Sequence, residues 1–368
     1  MNFLTIGCLV LGYLLGESGL GLFNVYTIGH LKPFIAFALG WVGFIIGENL
    51  EFSTVRRMSA QLLILSLGQL TAAFVLTGWA LWWFLSGPAG WPAGTALVFS
   101  LLAACTATAT DPITAAALMD RGRRAAGLSH LLMQLATIAD VLTTLLFWLV
   151  LSFSVNHIGS GVPGGFGFTV EALLHPALGL ALGLALSLLI TPERDQREVT
   201  LLFMAALFIA VGAGMAIRVS PLIVCMFASA FVMSVKRGKT VIREVVHQLE
   251  MPVYVTFLIM CGALFKPPLL VDLFWPLLIY VALRAVGKTG GIFITAKAMH
   301  LEPGAPRLGL GLLSQAGLAV VLAVNIYFEV DAALGLNLIA LTTAGIVVNQ
   351  LLGIEGMKLL KSTFEEEE

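Results

Sequence analysis

Four ionisable residues, Asp111, Asp140, Arg284 and Lys288, sit in stretches otherwise apolar enough to lie in hydrocarbon. Placing such a charge at the centre of a membrane helix costs about 2.5–3.5 kcal/mol on insertion scales, so these residue types there mark ion paths, proton relays or counter-ions. The competing reading is a structural salt bridge that holds helices together. Two acids and two bases form a set that can trade a proton for a cation while keeping its own charge balanced.

Asp111 lies in Cys105-Thr-Ala-Thr-Ala-Thr-Asp-Pro-Ile-Thr, where three alternating threonines, an acid and Pro112 oppose a continuous helix. Proline lacks an amide donor and clashes with the carbonyl four residues back, so the spacing predicts a break. Unwound backbone survives in a bilayer only where protein or a watery cavity surrounds it, and its carbonyls and hydroxyls can then hold a cation. A simple kink, with the threonines bonded to their own backbone, is the alternative. Thr108 and Thr110 precede Asp111 in this stretch. Asp140 follows 29 residues after Asp111, beyond the basic turn Arg121-Gly-Arg-Arg. Counting inward from that turn places both carboxylates near mid-membrane on adjacent antiparallel helices. A buried carboxylate that takes either a proton or a small hard cation is the minimum device for exchange.

The elements that must position these residues are membrane helices. Of 368 residues only 41 are charged, 59% are hydrophobic and the mean hydropathy is +0.97. That composition excludes a disordered, coiled-coil or soluble globular chain. The near-zero net charge gives no reason to expect a nucleic-acid partner. A crossing needs about 20 apolar residues, and twelve stretches qualify: 2–22, 33–49, 58–85, 93–118, 127–154, 171–190, 199–217, 220–235, 251–265, 269–298, 305–328 and 333–356. Basic residues between them alternate, fifteen on one side, including Arg56, Arg57, Lys236 and Arg237, against Lys32, Arg218 and Lys266 on the other. The positive-inside rule then puts both termini in the cytoplasm. The N-terminus lacks a basic leader and a cleavage site, so it is expected to be a first membrane helix. The Gly-rich connector 154–169 joins two groups of helices. Cys8, Cys105, Cys225 and Cys261 stand singly in apolar runs and are expected as small buried side chains. No metal cluster or cofactor motif is present.

With these residues in view, the sequence resembles the cation/proton antiporters of the sodium/proton exchanger superfamily. The likeness runs through 12–22 GYLLGESGLGL, 38–57 ALGWVGFIIGENLEFSTVRR, 108–112 TATDP, 138–140 IAD, 250–264 EMPVYVTFLIMCGAL, 284–291 RAVGKTGG and 311–319 GLLSQAGLA. It implies an all-α fold with an inverted repeat and two crossed discontinuous helices, the fourth and the eleventh. Core helices would span 58–154 and 269–356, and a dimerisation scaffold 1–57 and 171–265. By the same matching Asp140 is the ion-binding acid, Asp111 and Thr110 shape the cation site, and Lys288 or Arg284 compensates charge. Ser314 and Gln315, before a glycine in the eleventh helix, and Thr108 are weaker candidates for lining the cavity. Ala139 departs from the family, which carries Asp or Asn beside the essential acid. A further N-terminal helix and a cytosolic domain carried by many relatives are not evident.

The expectation is therefore a secondary transporter, not an enzyme, that exchanges H+ for Na+, Li+ or K+ across a prokaryotic inner membrane as a homodimer. A solute/sodium symporter of the same architecture is the alternative. An intramembrane aspartyl protease would want a GxGD approach to its second acid, which Ala-Thr-Ile-Ala-Asp does not supply. Among other polar residues, Gln134, Asn325 and Asn349 are expected to bond between helices, Glu17 and Glu48 to sit at helix ends, and His247 to lie on a solvated cytosolic face.

Overall fold

The computed structural model describes residues 2–23, 25–52, 56, 58–111, 123–158, 167–189, 196–217, 219–235, 239–248, 250–301, 305–315 and 317–366. Thirteen principal helices occur in this order: α1 Asn2–Leu15, α2 Lys32–Glu48, α3 Ala60–Ser86, α4 Ala93–Thr108, α5 Arg123–Ile158, α6 Phe168–Leu189, α7 Gln196–Ile217, α8 Pro221–Val235, α9 Lys239–Gln248, α10 Glu250–Leu264, α11 Phe274–Ala298, α12 Gly317–Glu329 and α13 Ala332–Glu366. Among the described residues there is no sheet, only an isolated bridge between Gly16 and Phe23. Among the described residues seven helices are long and apolar enough to cross a membrane alone. An eighth span results if the 3-10 segment Ala305–Leu312 and α12, which meet at a 54° bend, are taken together. In several of these spans only 33% of the apolar stretch is buried by protein. So much exposed apolar surface is compatible with lipid as the solvent and not with water.

Small residues set which helices touch, because lipid tails compete for every apolar contact and only close backbone approach gains packing over them. A Cβ at Gly43 or Gly47 of α2 would overlap the carbonyl oxygens of Leu222 and Met226 on α8. At Gly287 and Gly291 of α11 it would run into the backbone of Ala73 and Gln69 on α3. These contacts seat α2 against α8 and α11 against α3. The α3–α11 contact fixes the face of α11 that carries the two basic residues. Helix α12 is buried from Leu318 to Ile326, surrounded by protein on every side.

The first helix is shorter than the expected span 2–22. It stops at Leu15, and the glycine-rich run that follows turns back, with Gly21 at φ +70° donating to the Gly16 carbonyl. Glu17 is thus outside the helix, in a surface ion pair with Lys266 at 2.9 Å. The fourth helix ends at Thr108, the residue four before Pro112 whose carbonyl the ring would strike. The last part of that expected span, 112–118, lies outside the described residues, as do Arg121 and residues 159–166 of the connector 154–169. The first part of the expected span 305–328 is 3-10 rather than α. Gly309 packs there directly on the Lys288 and Thr289 backbone, so the tighter turn is matched to a close approach. All four cysteines are free and buried.

Candidate functional site

The site is built on one face of α11. Tyr280, Arg284 and Lys288 stand one turn apart, so all three side chains share a face, and all are buried, at 0%, 0% and 1% exposure. Each meets a successive part of the terminus of α4. The Tyr280 hydroxyl pairs with Thr106 Oγ1 at 3.1 Å. Arg284 Nη2 donates to the Ala109 carbonyl at 2.9 Å and to the Ser314 carbonyl at 3.1 Å, while Nη1 donates to the Leu313 carbonyl. Lys288 Nζ donates to Thr110 Oγ1.

The two non-helical stretches, 109–111 after α4 and 313–315 before α12, are joined directly. Asp111 N–H donates to the Ser314 carbonyl at 3.2 Å, and Ser314 Oγ donates to the Asp111 carbonyl at 3.4 Å. Carbonyls left over where a helix stops carry partial negative charge. Three of the carbonyls here converge on one guanidinium, whose fixed fork suits several acceptors at once. Arg284 thereby satisfies backbone that water cannot reach.

Asp140 comes from α5, on the other side of the break. Its Oδ1 accepts the Thr110 backbone N–H at 3.1 Å. Among the described residues Lys288 reaches Asp140 through Thr110, hydroxyl on one side and amide on the other, rather than by a direct ion pair. Asp140 is also the one of the four mid-membrane charges that is only partly buried; Asp111, Arg284 and Lys288 are 5% exposed or less. Asp111 is held on its side-chain end by Gln350 Nε2, which donates to Oδ2 at 3.1 Å.

The expected site residues Asp111, Asp140, Thr110, Arg284, Lys288, Ser314 and Gln315 converge here, with Thr108 beside them, in unequal roles, whereas several of the other polar residues singled out in the sequence lie elsewhere. Thr108 donates to the Cys105 carbonyl of its own helix at 2.7 Å and accepts from Thr143 at 2.9 Å, so its hydroxyl is committed within the protein. Ser314 ties the two breaks together. Gln315 donates to Thr106 O and to the Tyr280 hydroxyl, and accepts from Asn349. Asn325 bonds between helices, to Ser220 Oγ at 2.7 Å. Gln134 does not: it is exposed and pairs with His130 one turn back on its own helix. His247 is not simply solvated, since its ring bridges Glu48 at 2.8 Å and Glu250 at 2.6 Å. Tyr280 and Gln350 were not anticipated. The spacing 280, 284, 288 along α11 is the signal that reveals the tyrosine.

The end of α4 and the bend before α12, joined beside two acids and two bases in otherwise apolar spans, fit a polytopic ion transporter. Comparison supports this throughout the chain. The family of sodium/hydrogen exchangers, transmembrane, matches residues 3–355. The chain belongs to that family and is a secondary cation/proton antiporter. Among solved structures it is similar to the sodium proton antiporter MjNhaP1 from Methanocaldococcus jannaschii, with a TM-score of 0.65 at 15% identity over 95% of this chain and 92% of that one. The latter likeness is one of fold. Comparison with curated proteins returned no match.

Proposed function

We propose that the chain exchanges one proton for one Na+, with Li+ and K+ as the other candidates, and that Asp140 is the carboxylate that carries both in turn. The observation that carries this reading is the bridging position of Thr110 between Asp140 and Lys288. Asp140 is the least buried of the four charges, and the nearby cation donates to a neutral hydroxyl rather than being locked onto the acid. A directly ion-paired acid would have to break that pair before each proton or cation could bind.

In this account Asp111, Thr110 and the freed backbone around them shape the cation site, and Arg284 compensates the carbonyl ends of the two interrupted helices, which cross at the site. Lys288 stays a cation and balances Asp140 across Thr110. With Ala139 in place of a second acid, a single carboxylate cycles on α5, so exchange moves no net charge. The core helices, 58–154 and 269–356, alternate access by moving against a scaffold of 1–57 and 171–265 that also forms a homodimer. Both termini face the cytoplasm of a prokaryote, and no cofactor takes part. Neither the symporter nor the protease reading is favoured by the family match. Proton-flux measurements in liposomes, with each alkali cation imposed in turn, test the proposal: proton movement driven by at least one of them supports it, and none driven by any contradicts it.

A further inference from the structure

Helix α13 places Gln350 at 0% exposure beside the joined breaks. Its Nε2 donates to Asp111 Oδ2 at 3.1 Å and to the Gln315 backbone carbonyl at 2.9 Å. A carbonyl only accepts, and so does an ionised carboxylate. The amide nitrogen must therefore face both, which fixes the side chain's orientation chemically and turns Oε1 away from them. That oxygen is buried and, among the described residues, has no hydrogen-bond partner. A buried amide oxygen without a donor is costly, and native proteins rarely leave one so without a water, an ion or a functional reason. Here the oxygen stands one amide's width from the carboxylate proposed to shape the cation site. Hydroxyl and carbonyl oxygens of interrupted helices are the groups that replace water around an alkali cation at mid-membrane.

We infer that Gln350 is a specificity-determining residue of the cation site: Nε2 holds the Asp111 carboxylate in place and Oε1 supplies a neutral oxygen to the dehydrated cation. This rests on the exchange reading at Asp111 and Asp140. The charge of the site is unaffected by a neutral ligand, so Gln350 governs how well a cation of given size binds and not whether Asp140 can cycle its proton.

Purified wild type and Gln350→Met, which keeps the length but offers neither donor nor acceptor oxygen, are compared in liposomes with Na+, Li+ and K+. The variant is expected to raise the KM for the preferred cation by roughly tenfold, as loss of a hydrogen bond to a charged group implies. Its maximal rate should stay within about twofold, and the ratio of KM values among the three cations should change. A second readout is thermal unfolding in detergent, at constant ionic strength, with choline or the alkali cation. The cation-dependent rise in midpoint above its value in choline should shrink in the variant, even though the choline midpoint itself falls because the Gln315 carbonyl and Asp111 lose a donor. Unchanged KM values, or a fall in maximal rate with KM intact, overturns the inference. If Gln350→Met yields no folded protein, Gln350→Asn decides, because its shorter amide cannot reach both partners: an unaltered KM there is equally fatal. A wild type that moved no protons with any cation overturns the exchange reading, and this inference with it.

Discussion

Thr110 donates its backbone N–H to Asp140 across 3.1 Å, while its side-chain oxygen accepts from Lys288. A helical Thr110 would spend that amide on the carbonyl four residues back. The amide is available because α4 has already ended at Thr108. The proline at 112 therefore acts on the acid 28 residues further on, by freeing the donor that orients it.

Asp111 should govern affinity more than turnover. In Asp111→Asn the backbone bonds to Ser314 remain, so the joined breaks keep their shape, but the charge offered to the cation is lost. The apparent KM for the preferred cation is expected to rise by about tenfold or more, with the maximal rate falling less. Concentration series in liposomes measure both; an unchanged KM contradicts the assignment.

Arg284 should matter to the fold before it matters to transport. Arg284→Met strips the carbonyls of Ala109, Leu313 and Ser314 of their donor. Each buried polar group left unmatched costs about 1–3 kcal/mol, against the single hydroxyl released by Lys288→Gln. Thermal unfolding in detergent should therefore show a clearly larger drop in midpoint for Arg284→Met than for Lys288→Gln. The reverse order contradicts the division of labour between the two bases.

Stoichiometry is tested by current. With Asp140 cycling alone on its helix and Lys288 held as a cation beside Thr110, a cation jump on a supported membrane should give proton exchange without a current that scales with turnover. Such a current in the wild type, lost in Lys288→Gln, shows instead that Lys288 releases a proton in each cycle.

The four charges and the stop of the fourth helix ahead of Pro112 were legible because the bilayer leaves few reasons for either: Asp111 next to Pro112, and Arg284 four residues before Lys288, announce themselves against apolar neighbours. The partnerships were not. Thr106 and Thr108 spend their hydroxyls on carbonyls of their own helix, and nothing in the alternation of threonines tells that Thr110 alone of the three reaches out to a lysine. Gln134 looked as suitable as Asn325 or Asn349 for joining helices, yet its side chain points outward, which only the packing around α5 decides. Gln350 sits next to Asn349 in α13, and two adjacent amides point to different sides of a helix. Which of them meets Asp111 depends on the rotation of α13 about its axis, a tertiary property. The early stop of α1 was missed by the expected span 2–22, although Gly16, Gly19 and Gly21 follow it closely, and the 3-10 turn at Ala305–Leu312 answers to Gly309 pressing on α11.

The claim on which the rest depends is that Asp140 carries the exchanged ion. Asp140→Asn keeps the size of the side chain and an oxygen able to accept the Thr110 amide, but it cannot alternate between proton and cation. Measured in liposomes with an imposed gradient of the preferred cation and a pH-sensitive dye inside, the folded variant should move protons no faster than empty liposomes. Exchange by Asp140→Asn at near the wild-type rate would contradict the account.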